Sequence, residues 1–210
     1  MKKAPMNTSP DAYAERLRDR YAPLVRRHGP SHRAVDWGSV HSQEARFRVL
    51  LEAGGATNAR LLDIGCGVGH LVDHLQQHAF AGSYVGLDLV PEMVGLAAQR
   101  HPQWKFYEGS IEAAPVAFVA DYVVGSGLFT FADQHQLEET VKAMFRHTKR
   151  VVAFNTLSIW GDQPARDEFC ADPGEVVAFC RTLTRRVVLR HDYLPHDFTV
   201  YLYREEAPPR

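Results

Sequence analysis

Three glycines spaced two apart, Gly65, Gly67 and Gly69, follow the apolar run Leu61-Leu62-Asp63-Ile64 and precede a helical stretch that opens at His70. Glycine tolerates positive φ and presents no Cβ, so a turn built from it lets the backbone approach a ligand closely. The loop from Gly65 through Cys66 to Gly69 is therefore a candidate ligand cradle, with the carboxylate of Asp63 two residues upstream. The spacing also discriminates between ligand classes. A dinucleotide fingerprint orders its glycines G-x-G-x-x-G, and His70 stands where the last of them would fall. A nicotinamide dinucleotide is disfavoured. The three cysteines, Cys66, Cys170 and Cys180, form no CxxC pair and no metal-ligand spacing, so no metal is expected.

Such a loop works only where a strand feeds a helix, and the surrounding pattern supplies both. Short β-rich runs at Arg60 to Ile64, Tyr84 to Asp88, Trp104 to Tyr107, Tyr122 to Val124 and Val151 to Asn155 alternate with helical stretches. The helices are expected at His70 to His78, Pro91 to Arg100, Gln134 to Arg146 and Pro173 to Leu183. Alternation of this kind predicts an α/β fold with a parallel sheet covered by helices on both faces. The last two runs, Arg186 to His191 and Phe198 to Tyr203, are separated by only Asp192 to Asp197, too short for a crossover helix, so they must form an antiparallel hairpin. Ahead of the first strand, Asp11 to Arg27 reads as an amphipathic helix begun by Ser9 and Pro10. A second helix runs from about Ser39 to Gly54. Residues 1–58 are thus expected to form an N-terminal helical cap and residues 59–205 the main domain.

Together, Asp63 and the loop resemble motif I of the class I S-adenosylmethionine-dependent methyltransferases, small-molecule type, and the resemblance covers roughly Leu61 to Arg204. It implies a Rossmann-like sheet of seven strands in the order 3-2-1-4-5-7-6 with the last strand antiparallel, in agreement with the hairpin read from loop length. It implies S-adenosylmethionine as cofactor and S-adenosylhomocysteine as product. The run Tyr84 to Leu89 looks like the family's second strand, whose terminal acid accepts hydrogen bonds from the ribose hydroxyls. Asp88 occupies that place, and a carboxylate suits it because it is acceptor-only. Leu89 and Met93 match positions that pack on adenine. Gly109, Ser110 and Ile111 look like the adenine-edge segment, although Ser110 stands where many members have Asp. Arg46 resembles an upstream arginine that pairs with the methionine carboxylate, and reads equally as an exposed helix charge; Gly125 completes the expected cradle after the fourth strand.

Ligands of open α/β sheets lie beyond the carboxyl ends of the strands. The acceptor is therefore expected among the segments leaving strands four to six and the helical cap. Trp37, Phe129 and Trp160 are candidate walls and Asn155, Ser158 and Tyr193 candidate polar contacts, with residues 156–171 as a lid. Each aromatic fits a core role equally well. An acceptor hydroxyl or amine needs a base, for which the rim histidines His41, His191 and His196 are candidates beside an ordinary structural role.

A chain of 210 residues, 45% hydrophobic and 23% charged, fits one globular domain with extensions. Its net charge of -1 provides no field for polyanions, and the Asn/Asp-Pro-Pro-Tyr/Phe sequence that the resemblance would imply for members acting on nucleobase or glutamine amino groups does not follow the fourth strand. A nucleic-acid partner is not expected, nor is a membrane span, since Met1 to Pro10 carries no apolar run of that length. Unpaired thiols point to the cytoplasm, and the chain is expected to act as a monomer or homodimer. The leading expectation is transfer of a methyl group to O or N of a small metabolite. A protein-directed methyltransferase and a non-catalytic cofactor-binding partner subunit remain as alternatives.

Overall fold

The computed structural model describes residues 10–36, 38–161 and 168–205. Two helices come first, α1 (Pro10–His28) and α2 (Val40–Leu51), joined through a short 3-10 turn at His32–Val35. The alternating part follows: β1 (Arg60–Ile64), α3 (His70–Gln77), β2 (Ser83–Asp88), α4 (Pro91–Arg100), β3 (Lys105–Glu108), β4 (Ala120–Ser126), α5 (Gln134–His147), β5 (Thr148–Leu157), α6 (Pro173–Leu183), β6 (Val187–Leu194) and β7 (Asp197–Tyr203). The sheet order is β3-β2-β1-β4-β5-β7-β6, with β7 antiparallel to both its neighbours and the other pairs parallel. This is the Rossmann-like class I methyltransferase arrangement that the family resemblance implies, and its parallel pairs and antiparallel end agree with the alternation and the hairpin read from loop length.

Side-chain alternation along the strands divides the core in two. Leu62 and Ile64 of β1, Val123 of β4, Val152 and Phe154 of β5 and Phe198, Val200 and Leu202 of β7 pack against α5 and α6. Leu61, Tyr122, Val124, Val151, Ala153 and Tyr201 face the other way, onto α2 and α3. The helical preface therefore divides. Phe47, Val49 and Leu50 make α2 part of the sheet's own cover. By contrast, Ala22 and Val25 place α1 against Val68, Val90 and Met93, across the carboxyl ends of the strands.

Helix starts follow side-chain caps: Ser39 accepts from Ser42 N–H at 3.1 Å, Asp133 from Gln136 N–H at 2.8 Å and Asp172 from Gly174 N–H at 2.8 Å. Ser9, expected to start α1, lies outside the described residues. The hairpin is tighter than expected. Leu194 pairs with Asp197, so only Pro195 and His196 form the turn, and a register shift between Arg190 and Leu194 absorbs the extra residues of β6. No described helix is long and apolar enough to cross a membrane.

Candidate functional site

The loop after β1 turns through three left-handed glycines, with φ of 67° at Gly65, 54° at Gly67 and 84° at Gly69. Residues with a Cβ rarely adopt such angles, which is why this bend requires glycine. Gly65 and Cys66 donate their N–H groups to the Leu87 carbonyl at 2.8 and 3.2 Å, which ties the loop to β2. Asp88, at the end of β2, accepts from Gly67 N–H at 2.8 Å through Oδ2 and from Val90 N–H at 2.9 Å through Oδ1. A carboxylate offers about four acceptor positions, so capacity remains. Burial pushes its pKa up to about 6, while the surrounding backbone N–H groups pull the other way. Asp63 is buried too. The Tyr84 hydroxyl donates to its Oδ2 at 2.7 Å, and burial raises its pKa to about 7.

These groups open onto a cavity of about 550 Å³, within the roughly 300–1,000 Å³ typical of ligand sites. Its floor is the segments leaving β1, β2, β3 and β4, and α1 roofs it with Tyr13, Leu17, Arg18 and Tyr21. Several bonds hold the roof. The Tyr13 hydroxyl donates to the Leu128 carbonyl at 3.0 Å, Arg18 Nε to the Leu89 carbonyl at 3.1 Å, and Arg18 and Arg26 pair with Glu108 and Glu92 at 2.8 Å each. Leu128 also wedges its side chain between two strand ends. A Cβ added at Gly65 or at Gly125 would lie 2.3 Å from one of its methyl carbons.

Of the residues selected from sequence, Asp63, Gly65, Cys66, Gly67, Asp88, Leu89, Met93, Gly109, Ser110, Ile111 and Phe129 line this one cavity. Others lie elsewhere. Gly69 turns its bare face to His101, and Gly125 turns its own to Leu128. Arg46 is buried in an ion pair, its Nε 2.5 Å from Asp197 Oδ2, and the Tyr193 hydroxyl donates to the other oxygen of Asp197 at 2.6 Å. Arg46 thus faces a carboxylate of the protein and is not among the cavity-lining residues. Asn155 is fully buried and clips the loop after β4, accepting from Ser126 Oγ and Gly127 N–H at 3.1 Å each. Ser158 Oγ lies 2.8 Å from His191 Nε2 and accepts from the N–H of the exposed Trp160 at 3.0 Å. His196 sits in the hairpin turn, where its carbonyl accepts from Ser158 N–H at 3.0 Å, and His41 is exposed on α2. None of the three histidines lines the cavity. Trp37 and residues 162–167 of the expected lid are outside the described residues.

The cavity also contains groups that the sequence did not single out. His70, at the start of α3, receives a hydrogen bond from Gln43 Nε2 at 3.1 Å on Nδ1 and lies 2.8 Å from the Pro30 carbonyl through Nε2. A carbonyl only accepts, so the ring carries its proton on Nε2, and burial lowers its pKa. Gln136 lines the cavity from the first turn of α5. Its only sequence signal was its place three residues after a capping Asp.

A methyltransferase-domain family model matches residues 61–150. Rv1506c of Mycobacterium tuberculosis, a protein bearing a methyltransferase name, is 34% identical over 148 residues, spanning 66% of this chain and 89% of that one. The demethylmenaquinone methyltransferase of Chlorobaculum parvum is 30% identical over 113 residues, which cover 54% of this chain and 44% of that protein. Among solved structures, magnesium protoporphyrin IX methyltransferase from Synechocystis PCC 6803 with bound S-adenosylhomocysteine superposes with a TM-score of 0.66 at 14% identity, covering 93% of this chain and 97% of that one. The DhpI complex with S-adenosylhomocysteine gives 0.68 at 15% identity, covering 92% and 95%.

Proposed function

The chain belongs to the class I S-adenosylmethionine-dependent methyltransferases, and within that family we propose that it methylates an oxygen or nitrogen of a small molecule. S-adenosylmethionine is its methyl donor. The cavity suits that cofactor: a bare glycine backbone at one end, a buried carboxylate with acceptor capacity for ribose hydroxyls, and apolar Leu89, Met93 and Ile111 for the faces of an adenine ring. When bound, the cofactor supplies a methyl group already activated on a sulfonium.

The protein's own share is placement and dryness. Asp63 and the glycine loop fix the depth at which the amino-acid end sits, Asp88 holds the sugar, and Leu128 fills the space beside Gly65 so that water does not. Phe129 and Tyr13 bound the cavity with aromatic surface, which suits a positive sulfonium.

The observation that carries the small-molecule reading is the roof. With α1 pinned at Leu128, Leu89, Glu108 and Glu92, the carboxyl ends of the strands are covered rather than presented as an open groove. Two further points support it. The curated relative and the structural neighbour described above carry small acceptors, demethylmenaquinone and magnesium protoporphyrin IX, in their names. The net charge of -1 and the scattered basic residues offer nothing to a polyanion. The test is transfer of tritium from methyl-labelled cofactor into a cell extract separated by size. Label in the fraction below about 1 kDa is expected; label that precipitates with protein or nucleic acid overturns the reading.

A further inference from the structure

Gln43 is only 6% exposed, yet it lines the cavity from near the start of α2. Which end of its carboxamide faces inward is fixed by a chain of neighbours. The Pro30 carbonyl can only accept, so the His70 ring, whose Nε2 lies 2.8 Å from it, carries its proton there. Nδ1 is then an acceptor, and the Gln43 atom 3.1 Å from it must be the donating Nε2. Burial lowers the pKa of His70, which keeps the ring neutral and this arrangement in place. The carboxamide oxygen is left over. It has no hydrogen-bond partner among the described residues and is open rather than sealed. An acceptor on a buried side chain that keeps its capacity toward a cavity calls for a donor from the ligand.

The fold decides which part of the ligand supplies that donor. α2 packs on β4, β5 and β7. Leu89, Met93, Gly109 and Ile111, which suit the adenine, lie beyond β2 and β3, on the other side of β1. With the sugar at Asp88, at the end of β2, the ligand reaches Gln43 with its amino-acid end. That end carries one donor group, its ammonium; its carboxylate only accepts and is repelled by a carboxamide oxygen. We infer that Gln43 receives the α-ammonium of S-adenosylmethionine on Oε1, with His70 and Pro30 holding the carboxamide in its accepting orientation. An ammonium has three N–H donors, enough for Gln43 beside the Asp63 carboxylate. Arg46, three residues further along α2, is turned to Asp197, so the helix meets the ligand with a neutral acceptor and not with that cation. The assignment rests on the cofactor placement proposed above.

Calorimetric titration with two probes tests it: S-adenosylhomocysteine, and its deamino analogue, in which hydrogen replaces the ammonium. The unaltered chain is expected to favour S-adenosylhomocysteine by about tenfold or more, the scale of a hydrogen bond to a charged group. Gln43→Leu should weaken S-adenosylhomocysteine by about tenfold and leave the deamino analogue unchanged, so that the preference shrinks by that factor. A role confined to holding His70 would instead weaken both probes alike and leave the preference at its full size. If Gln43→Leu does not fold, as judged by circular dichroism, Gln43→Met replaces it. Equal binding of the two probes by the unaltered chain, or a preference that keeps its size without the carboxamide, overturns the Gln43 assignment alone. Failure of the unaltered chain to bind either probe overturns the cradle as well, so the two failures are distinguishable.

Discussion

The two ends of the sheet's carboxyl edge use their polar groups in opposite ways. At the β1–β2 end, Asp63 and Asp88 are buried, are held by a tyrosine hydroxyl and by backbone N–H groups, and line a cavity. At the β5–β7–β6 end, Arg46, Asp197, Tyr193 and Thr199 satisfy one another, as do Ser158 and His191. A buried polar group whose capacity is used by the protein is structural; one that keeps capacity toward a cavity is available to a ligand. The same residue types thus serve cohesion at one end and recognition at the other.

The sharpest way to break this contrast is at Arg46. Removing one partner of a buried ion pair leaves the other charge uncompensated and costs about 3–5 kcal/mol, so Arg46→Ala should lower unfolding stability by that amount in urea titrations. Its affinity for S-adenosylhomocysteine, measured where the variant is still folded, should match the unaltered chain. Lost affinity with stability intact would instead make Arg46 a cofactor ligand, the role its resemblance to the family's upstream arginine implied. Asp88→Ala should give the mirror image. Its affinity should fall by about 1.5–3 kcal/mol, the range for hydrogen bonds to a charged group, with the fold retained; unchanged affinity by calorimetry would remove Asp88 from the sugar site.

The contrast also explains what could be read from sequence. The glycine loop was legible because a left-handed bend needs glycine whatever surrounds it, and Asp88 because a strand end fixes its place. The hairpin followed from a six-residue spacing that excludes a helix. The partner of Arg46 was not legible, because Asp197 lies 151 positions away and an arginine's own helix does not reveal which carboxylate it will meet. The surroundings of the rim histidines were hidden for the same reason: a place in the chain does not say which way a ring will face. Whether Tyr13 and Tyr21 roof the site or fill the core was not legible, since one apolar stripe gives the same periodicity for both.

The smallest effect is a pH dependence that should differ between the free and loaded protein. Burial raises Asp88 to about 6 and Asp63 to about 7, above the ordinary 3.8. Between pH about 4 and about 7 the folded chain therefore binds more protons than the unfolded one, so these groups make stability fall as pH rises through that window and level off above it. Partly buried His70 and buried His74 and His101, whose pKa values are lowered, act in the opposite sense below their ordinary 6.5. The carboxyl contribution is thus read as a difference: Asp63→Asn should flatten the fall in melting temperature between pH 6 and 7. A ligand whose ribose hydroxyls and ammonium donate to these oxygens favours their charged forms. Its binding should release protons at pH 6.5, and affinity should rise by about threefold to tenfold from pH 5.5 to 8. Titrations in two buffers of different ionisation heat measure that release. Equal heats in both buffers, with a flat affinity across the range, would show that neither carboxylate changes its charge on binding and that the polar groups at this end are as structural as those at the other.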